Sequence, residues 1–153
     1  MRRMKLLPCK ISLRIPSLIA CAAALLAPAL AYVDDAMSFA YEAANPYAEK
    51  GWIIREDAWG GDLGKGEKKA VTAQLFRGNS YTFFLATDVE TASLRVNVYD
   101  AEGNLAELKS WQRGQFAYAE VKPRATGTYY LVVEVVSSPE ERTGWALVYG
   151  FQR

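Results

Sequence analysis

The chain contains no histidine, and only two of its 153 residues are cysteine. Without His there is no Ser–His or Cys–His pair, no imidazole general base and no imidazole metal ligand. An excess of one charge sign is missing too: 18 Lys and Arg face 17 Asp and Glu. That balance supplies no basic footprint, so nucleic acid is not an expected partner. Long apolar runs are also scarce. The main one, Ile15 to Leu30, is about 16 residues long and contains Pro16 and Pro28. A membrane span needs roughly 20 apolar residues, so no stable span is expected.

What is present begins with a leader. Arg2, Arg3, Lys5, Lys10 and Arg14 form a basic start without an acid, the apolar run follows, and Ala29-Leu30-Ala31 closes it. This is the layout of a secretory signal peptide over 1–31, cleaved before Tyr32. Two rival patterns are weaker. Leu18-Ile19-Ala20-Cys21 fits a lipoprotein box, but it would leave the greasy stretch Ala22 to Ala31 at the start of the mature chain. Arg2-Arg3 suggests a twin-arginine signal, but Met4-Lys5 stands where that pattern needs apolar residues.

Removing 1–31 leaves 122 residues with a net charge of −4, no cysteine and all 19 aromatic residues. A cysteine-free domain suits an oxidising compartment and must rely on its core, for which this length suffices. The expected location is the periplasm or the medium.

Along the mature chain, Asp34 to Ala44 reads as a short helix, capped by Asp34 or Asp35 and ended by Asn45-Pro46. Trp52 to Arg55 reads as a strand and Gly60 to Gly66 as a glycine-rich loop. Segments with period two follow, containing Val71/Ala73/Leu75, Tyr81/Phe83/Leu85 and Leu94/Val96/Val98. Asp100 to Asn104 is a hairpin connection. Leu105 to Trp111 and Gln115 to Val121 are two more strands. Thr128 to Val136, apolar on both faces except at Glu134, reads as a central strand covered on both sides. Trp145, Leu147, Tyr149 and Phe151 share one face of the last strand. Seven or eight short strands without intervening helices predict a mainly β fold, an antiparallel sandwich with a short N-terminal helix. It forms one domain over 32–153, with helix and lead-in at 32–66 and sandwich core at 67–153.

Four segments in order carry a resemblance: Tyr81 to Leu85, Val96 to Gly103, Thr126-Gly127-Thr128-Tyr129-Tyr130-Leu131-Val132-Val133, and Trp145 to Tyr149. From about Leu75 to Phe151 the chain resembles the bacterial pre-peptidase C-terminal (PPC) domain, here as a stand-alone exported module. The resemblance implies a jelly-roll-like sandwich of the kind found on secreted enzymes. Calcium-binding members carry acidic residues near their metal site, but Ser93-Leu94-Arg95 stands where paired acids would be. No cofactor is therefore expected, and calcium would have to use Asp100, Glu102 and Asn104.

Among chemistry-bearing groups, those three residues offer oxygen donors within five positions, a spacing that equally suits a hairpin turn. Lys65 in the glycine-rich segment lacks the P-loop pattern. Carboxylates are plentiful, so a small carboxylate-based hydrolase is one alternative; it requires a cleft with two acids of raised pKa. Trp52, Trp59 and Trp111 lie near turns among polar neighbours and are the expected ligand or partner contacts. The expected role is a non-catalytic exported module binding a protein or polysaccharide. A carbohydrate-binding module is the other alternative, and it requires a coplanar row of exposed aromatics. A fourth possibility, a structural component assembling through an edge strand, requires concentration-dependent oligomers.

Overall fold

The computed structural model describes residues 27–153. The basic start, most of the apolar run and Cys21 lie outside the described residues. One helix, α1 (Ala27–Ala48), precedes nine strands: β1 (Ile53–Ile54), β2 (Trp59–Leu63), β3 (Lys68–Leu75), β4 (Ser80–Ala86), β5 (Ser93–Tyr99), β6 (Glu107–Arg113), β7 (Phe116–Val121), β8 (Gly127–Ser137) and β9 (Thr143–Gln152). All strand pairs are antiparallel. One sheet, here sheet A, has the order β1-β9-β4-β7-β6, with β2 also paired to β9; sheet B has the order β3-β8-β5. The fold is the expected antiparallel sandwich with an N-terminal helix.

Two apolar clusters hold it together. Between the sheets, Phe83 and Leu85 of β4, Leu94, Val96 and Val98 of β5, and Leu131, Val133 and Val135 of β8 are buried with Trp145 and Leu147 of β9. The period-two segments therefore direct their apolar residues inward, as their patterning requires. The second cluster lies on the outer face of sheet A. Ala36, Ala40 and Ala44, spaced by four along α1, let the helix lie flush on Phe84, Tyr118 and Val148. Covered on both faces, β4 is buried from Tyr81 to Ala86.

Several expectations need correction. The helix does not end at Asn45-Pro46 but runs through Pro46 to Ala48. Both of those residues face solvent, while Tyr47 packs on Phe84 and Tyr118 and holds the last turn in place. The stop is at Gly51, with φ +87°. Trp52 N–H donates to Tyr47 C=O and Gly51 N–H to Ala48 C=O, both at 3.0 Å, and the Trp52 ring packs edge-on against Tyr47. This is a Schellman motif with its hydrophobic contact. Nor does Asp34 or Asp35 cap the helix, which starts upstream of both.

Gly60 and Gly61 are not in a loop. They belong to β2, where close packing demands the lack of a side chain at Gly60, and Gly61 lies at contact distance from an indole. A Cβ on Gly60 would stand 2.9 Å from Val33 Cγ1, and one on Gly61 3.4 Å from the Trp145 indole. The strand expected over Trp52–Arg55 is confined to Ile53–Ile54. Finally, β8 is central in its sheet but covered on one face only: Tyr129, Leu131, Val133 and Val135 are buried, while Tyr130 is 40% exposed. The helix covers sheet A and leaves sheet B with a free outer face. No helix among the described residues is long and apolar enough to cross a membrane.

Candidate functional site

The two seams of the sandwich differ. At one, β5 packs against β6 and β7 and the gap is sewn shut. Glu107 accepts from Val98 N–H at 2.7 Å and from Asn97 Nδ2 at 2.8 Å. Ala106 N–H donates to Val98 C=O at 2.7 Å, and Tyr99 bridges to Leu105.

At the other seam, β3 faces the β1/β2 side of sheet A. Five strand positions in sheet A oppose three in sheet B. With β5 seated against β6 and β7, β3 touches β2 in a few places only and leaves the rest of the β1/β2 position without a facing strand. The result is a cleft of about 680 Å³, within the roughly 300–1,000 Å³ range of small-ligand sites.

Its wall is aromatic. Trp59 of β2 lies 5.5 Å from Tyr149 of β9, which stacks on Phe83 at 5.6 Å and 17°. Tyr81 and Phe151 pair at 6.0 Å. The polar rim comes from the segment between β1 and β2. Arg55 Nη2 contacts both oxygens of Asp57 at 3.2 and 3.1 Å, and the Tyr149 hydroxyl donates to Asp57 Oδ2 at 3.1 Å. These two partners, Arg55 first, hold the Asp57 carboxyl below its ordinary range. Burial, aided by the bond to Asp57, pushes the Tyr149 phenol up. At the far end, the Tyr81 hydroxyl accepts from Phe76 N–H at 2.9 Å and Asn79 Nδ2 at 3.2 Å. Its own hydrogen has no acceptor among the described residues.

The three expected tryptophan contacts are not in one row. Trp59 lines the cleft. Trp52 closes the helix-stop motif on the opposite side of sheet A. Trp111 stacks on Tyr118 at 5.3 Å and 13°, with the Arg113 guanidinium 5.4 Å from its ring centroid. It covers the helix-side cluster. All three are half-buried. Asp100 does the work of a turn: its carboxylate accepts from Glu102 N–H at 3.1 Å, Asn104 N–H at 2.7 Å and Asn104 Nδ2 at 3.2 Å. Those bonds lower its pKa and engage its oxygens in closing the hairpin. The charged loop before β9 is likewise tied inward, with Arg142 on Asp62 at 2.7 Å and Glu67 at 2.8 Å.

The arrangement suits binding rather than proton transfer. Asp57 is the one side-chain carboxylate lining the cleft, and its partners favour the ionised form. The carboxyl that burial raises, Asp88, lies elsewhere. Arg55, Asp57 and Tyr149 were not singled out from the sequence. Arg55, Asp57 and Trp59 do recur at every second position, the period of a strand with one face on a cleft. The short β1 and the adjoining glycines hide that signal.

No protein-family model matches the chain, and no curated protein matches it. Among solved structures, it is similar to a periplasmic inhibitor of g-type lysozyme from Aeromonas hydrophila, PliG, at 17% identity and a TM-score of 0.47. That match covers 67% of this chain and 90% of the inhibitor. A de novo designed double-stranded β-helix matches at 7% identity and a TM-score of 0.35, over 63% of this chain and 99% of the design. Likenesses this loose carry no inference about ligand or partner.

Proposed function

We propose that the chain is a non-catalytic exported binding module of the bacterial envelope or extracellular space, and that its ligand lies in the open seam. The carrying observation is the cleft itself: one seam is sewn shut by Glu107 and Ala106, the other is left open over an aromatic wall with a polar rim. A few placed polar groups on an apolar surface are what orient a ligand. The basic start and Ala29-Leu30-Ala31 support export. Cleavage before Tyr32 would keep Val33 and every later helix contact with the sheet. The PPC-like segments fit a module that binds and does not catalyse. An extended protein segment is the first reading. A polysaccharide is the second, favoured by the indole of Trp59 beside Arg55 and Asp57.

The test is a melting-temperature screen of the purified protein against soluble polysaccharides and extended peptides. A ligand at about 100 times its Kd adds about 2.7 kcal/mol, several degrees for a domain of this size. The expected result is a shift that Arg55→Ala abolishes and Arg113→Ala, beside Trp111, leaves intact. The reverse pattern would move the site to the helix side of sheet A and overturn the proposal.

A further inference from the structure

Three of the four sheet edges are protected against pairing with another chain. The edge strand β5 shifts register against β8 between Ser93 and Leu94 and is capped by Glu107. The edge of β6 carries a register shift between Glu107 and Lys109 and presents Lys109 and Arg113. On the fourth side of sheet A, β1 has two residues and β2 five. These are the usual devices against edge-to-edge association. By contrast, β3 pairs with β8 over eight residues without a register shift, and it is uncharged from Ala70 to Leu75.

The direction of its backbone groups follows from register. Val98 of β5 gives both its N–H and its C=O to the sewn seam, so Asn97 and Tyr99 point to their β8 partners Val132 and Tyr130. Residues of a strand alternate sides, so Tyr129, Leu131 and Val133 of β8 point to β3, where they meet Ala73, Val71 and Lys69. The N–H and C=O groups of Lys68, Ala70, Thr72 and Gln74 therefore face outward. All four residues are exposed, and none of these backbone groups has a partner among the described residues. The next outward N–H, that of Phe76, is capped by Tyr81, which ends the open stretch.

Resting on the seam reading, we propose that the ligand is an extended acidic peptide that adds to β3 as a fourth, antiparallel strand of sheet B. Such a strand fills the position that faces β1/β2. It takes the free backbone groups of β3 and sends alternate side chains onto Trp59 and Tyr149. The charge is set by the rim. Arg153 lines the cleft and Lys69 opens the edge, neither with a carboxylate partner among the described residues, whereas Arg55 is paired with Asp57 and Lys68 lies 3.6 Å from Glu134. A second copy of this chain is disfavoured on the same ground. It would bring another Lys69 and another β1/β2 edge to the same place.

The experiment uses an alternating valine–glutamate octapeptide, a valine–lysine counterpart, and amide hydrogen exchange followed by NMR on the purified protein. With the acidic peptide, exchange at Ala70, Thr72 and Gln74 slows at least tenfold, and that at Val71 and Ala73 stays nearly constant. The lysine peptide binds at least tenfold more weakly. Thr72→Pro, tolerated at an edge whose N–H faces solvent, abolishes binding without changing the melting temperature, while Thr72→Val keeps it. As a check independent of folding, N-methylation of every second peptide residue in one phase abolishes binding, and in the other phase does not. Shifts at Trp59 and Tyr149 without alternating protection would overturn strand addition and leave the seam reading standing. No response to the acidic peptide, while a polysaccharide perturbs the seam, would do the same. Concentration-dependent protection without peptide would make a second copy the occupant. Perturbation confined to the face around Trp111 would overturn both proposals.

Discussion

Replacing Gly60 by Ala tests how tightly α1 is seated on sheet A. The added Cβ would stand 2.9 Å from Val33 Cγ1 and 3.3 Å from the Trp145 carbonyl oxygen. Valine in a helix has essentially one rotamer, so Val33 cannot swing away. Overpacking of this kind costs about 1–3 kcal/mol. Alanine loses less backbone entropy on folding than glycine, which returns about 0.5–1 kcal/mol. The net loss is about 0.5–2 kcal/mol, a melting temperature lower by about 2–10 °C. In a Val33→Ala background the 2.9 Å contact is gone, and Gly60→Ala becomes nearly neutral. The two changes should therefore couple by about 1 kcal/mol in a double-mutant cycle read by denaturant or thermal melts. Equal costs of Gly60→Ala in both backgrounds, or none in either, would refute the docking of the helix on β2.

Other consequences are as direct. Gly51→Ala forces a side chain into the left-handed region and should cost about 1–2 kcal/mol, with loss of helical ellipticity near the transition; Trp52→Ala should weaken the same helix end. Burial raises the phenols of Tyr118 and Tyr149 above the usual 10.0, so the folded state holds those protons more tightly. Their contribution to stability is complete below about pH 10 and falls away above it, and in an ultraviolet tyrosinate titration Tyr118→Phe and Tyr149→Phe should each lose a component that ionises above the usual range. Asp100→Ala should cost about 1 kcal/mol through lost turn hydrogen bonds, and neither calcium nor EDTA should move the melting temperature of the parent protein; a calcium shift lost in Asp100→Ala would overturn the turn-only role.

The strands were the legible part of the fold. Leu94, Val96 and Val98 alternate with polar neighbours, and half-burial of a sheet demands that pattern. Where residues serve two surfaces at once, local reading fails. Pro46 ends an isolated helix, but Tyr47 is held by Phe84 and Tyr118, and tertiary contact outweighs the local preference. Gly60 and Gly61 look like a turn, yet both lie in β2, and the absent side chain of Gly60 admits Val33. The outer residues of β8 are apolar but uncovered, because the one helix went to sheet A. Trp59 stood out in the sequence and lines the cleft, while Trp52 and Trp111 pack on Tyr47 and Tyr118, which sequence spacing does not reveal. The cleft itself was not legible at all. It arises from five strand positions facing three, and no residue pattern records a strand that is missing.

Where a ligand touches the protein decides whether the open seam is the site. An amide-resolved NMR titration with any compound that raises the melting temperature answers this. The expected result is perturbations concentrated on β3, the Arg55–Trp59 segment and Tyr149. Perturbations centred on Trp111, Arg113 and the sewn seam at Glu107 would contradict a site in the open seam.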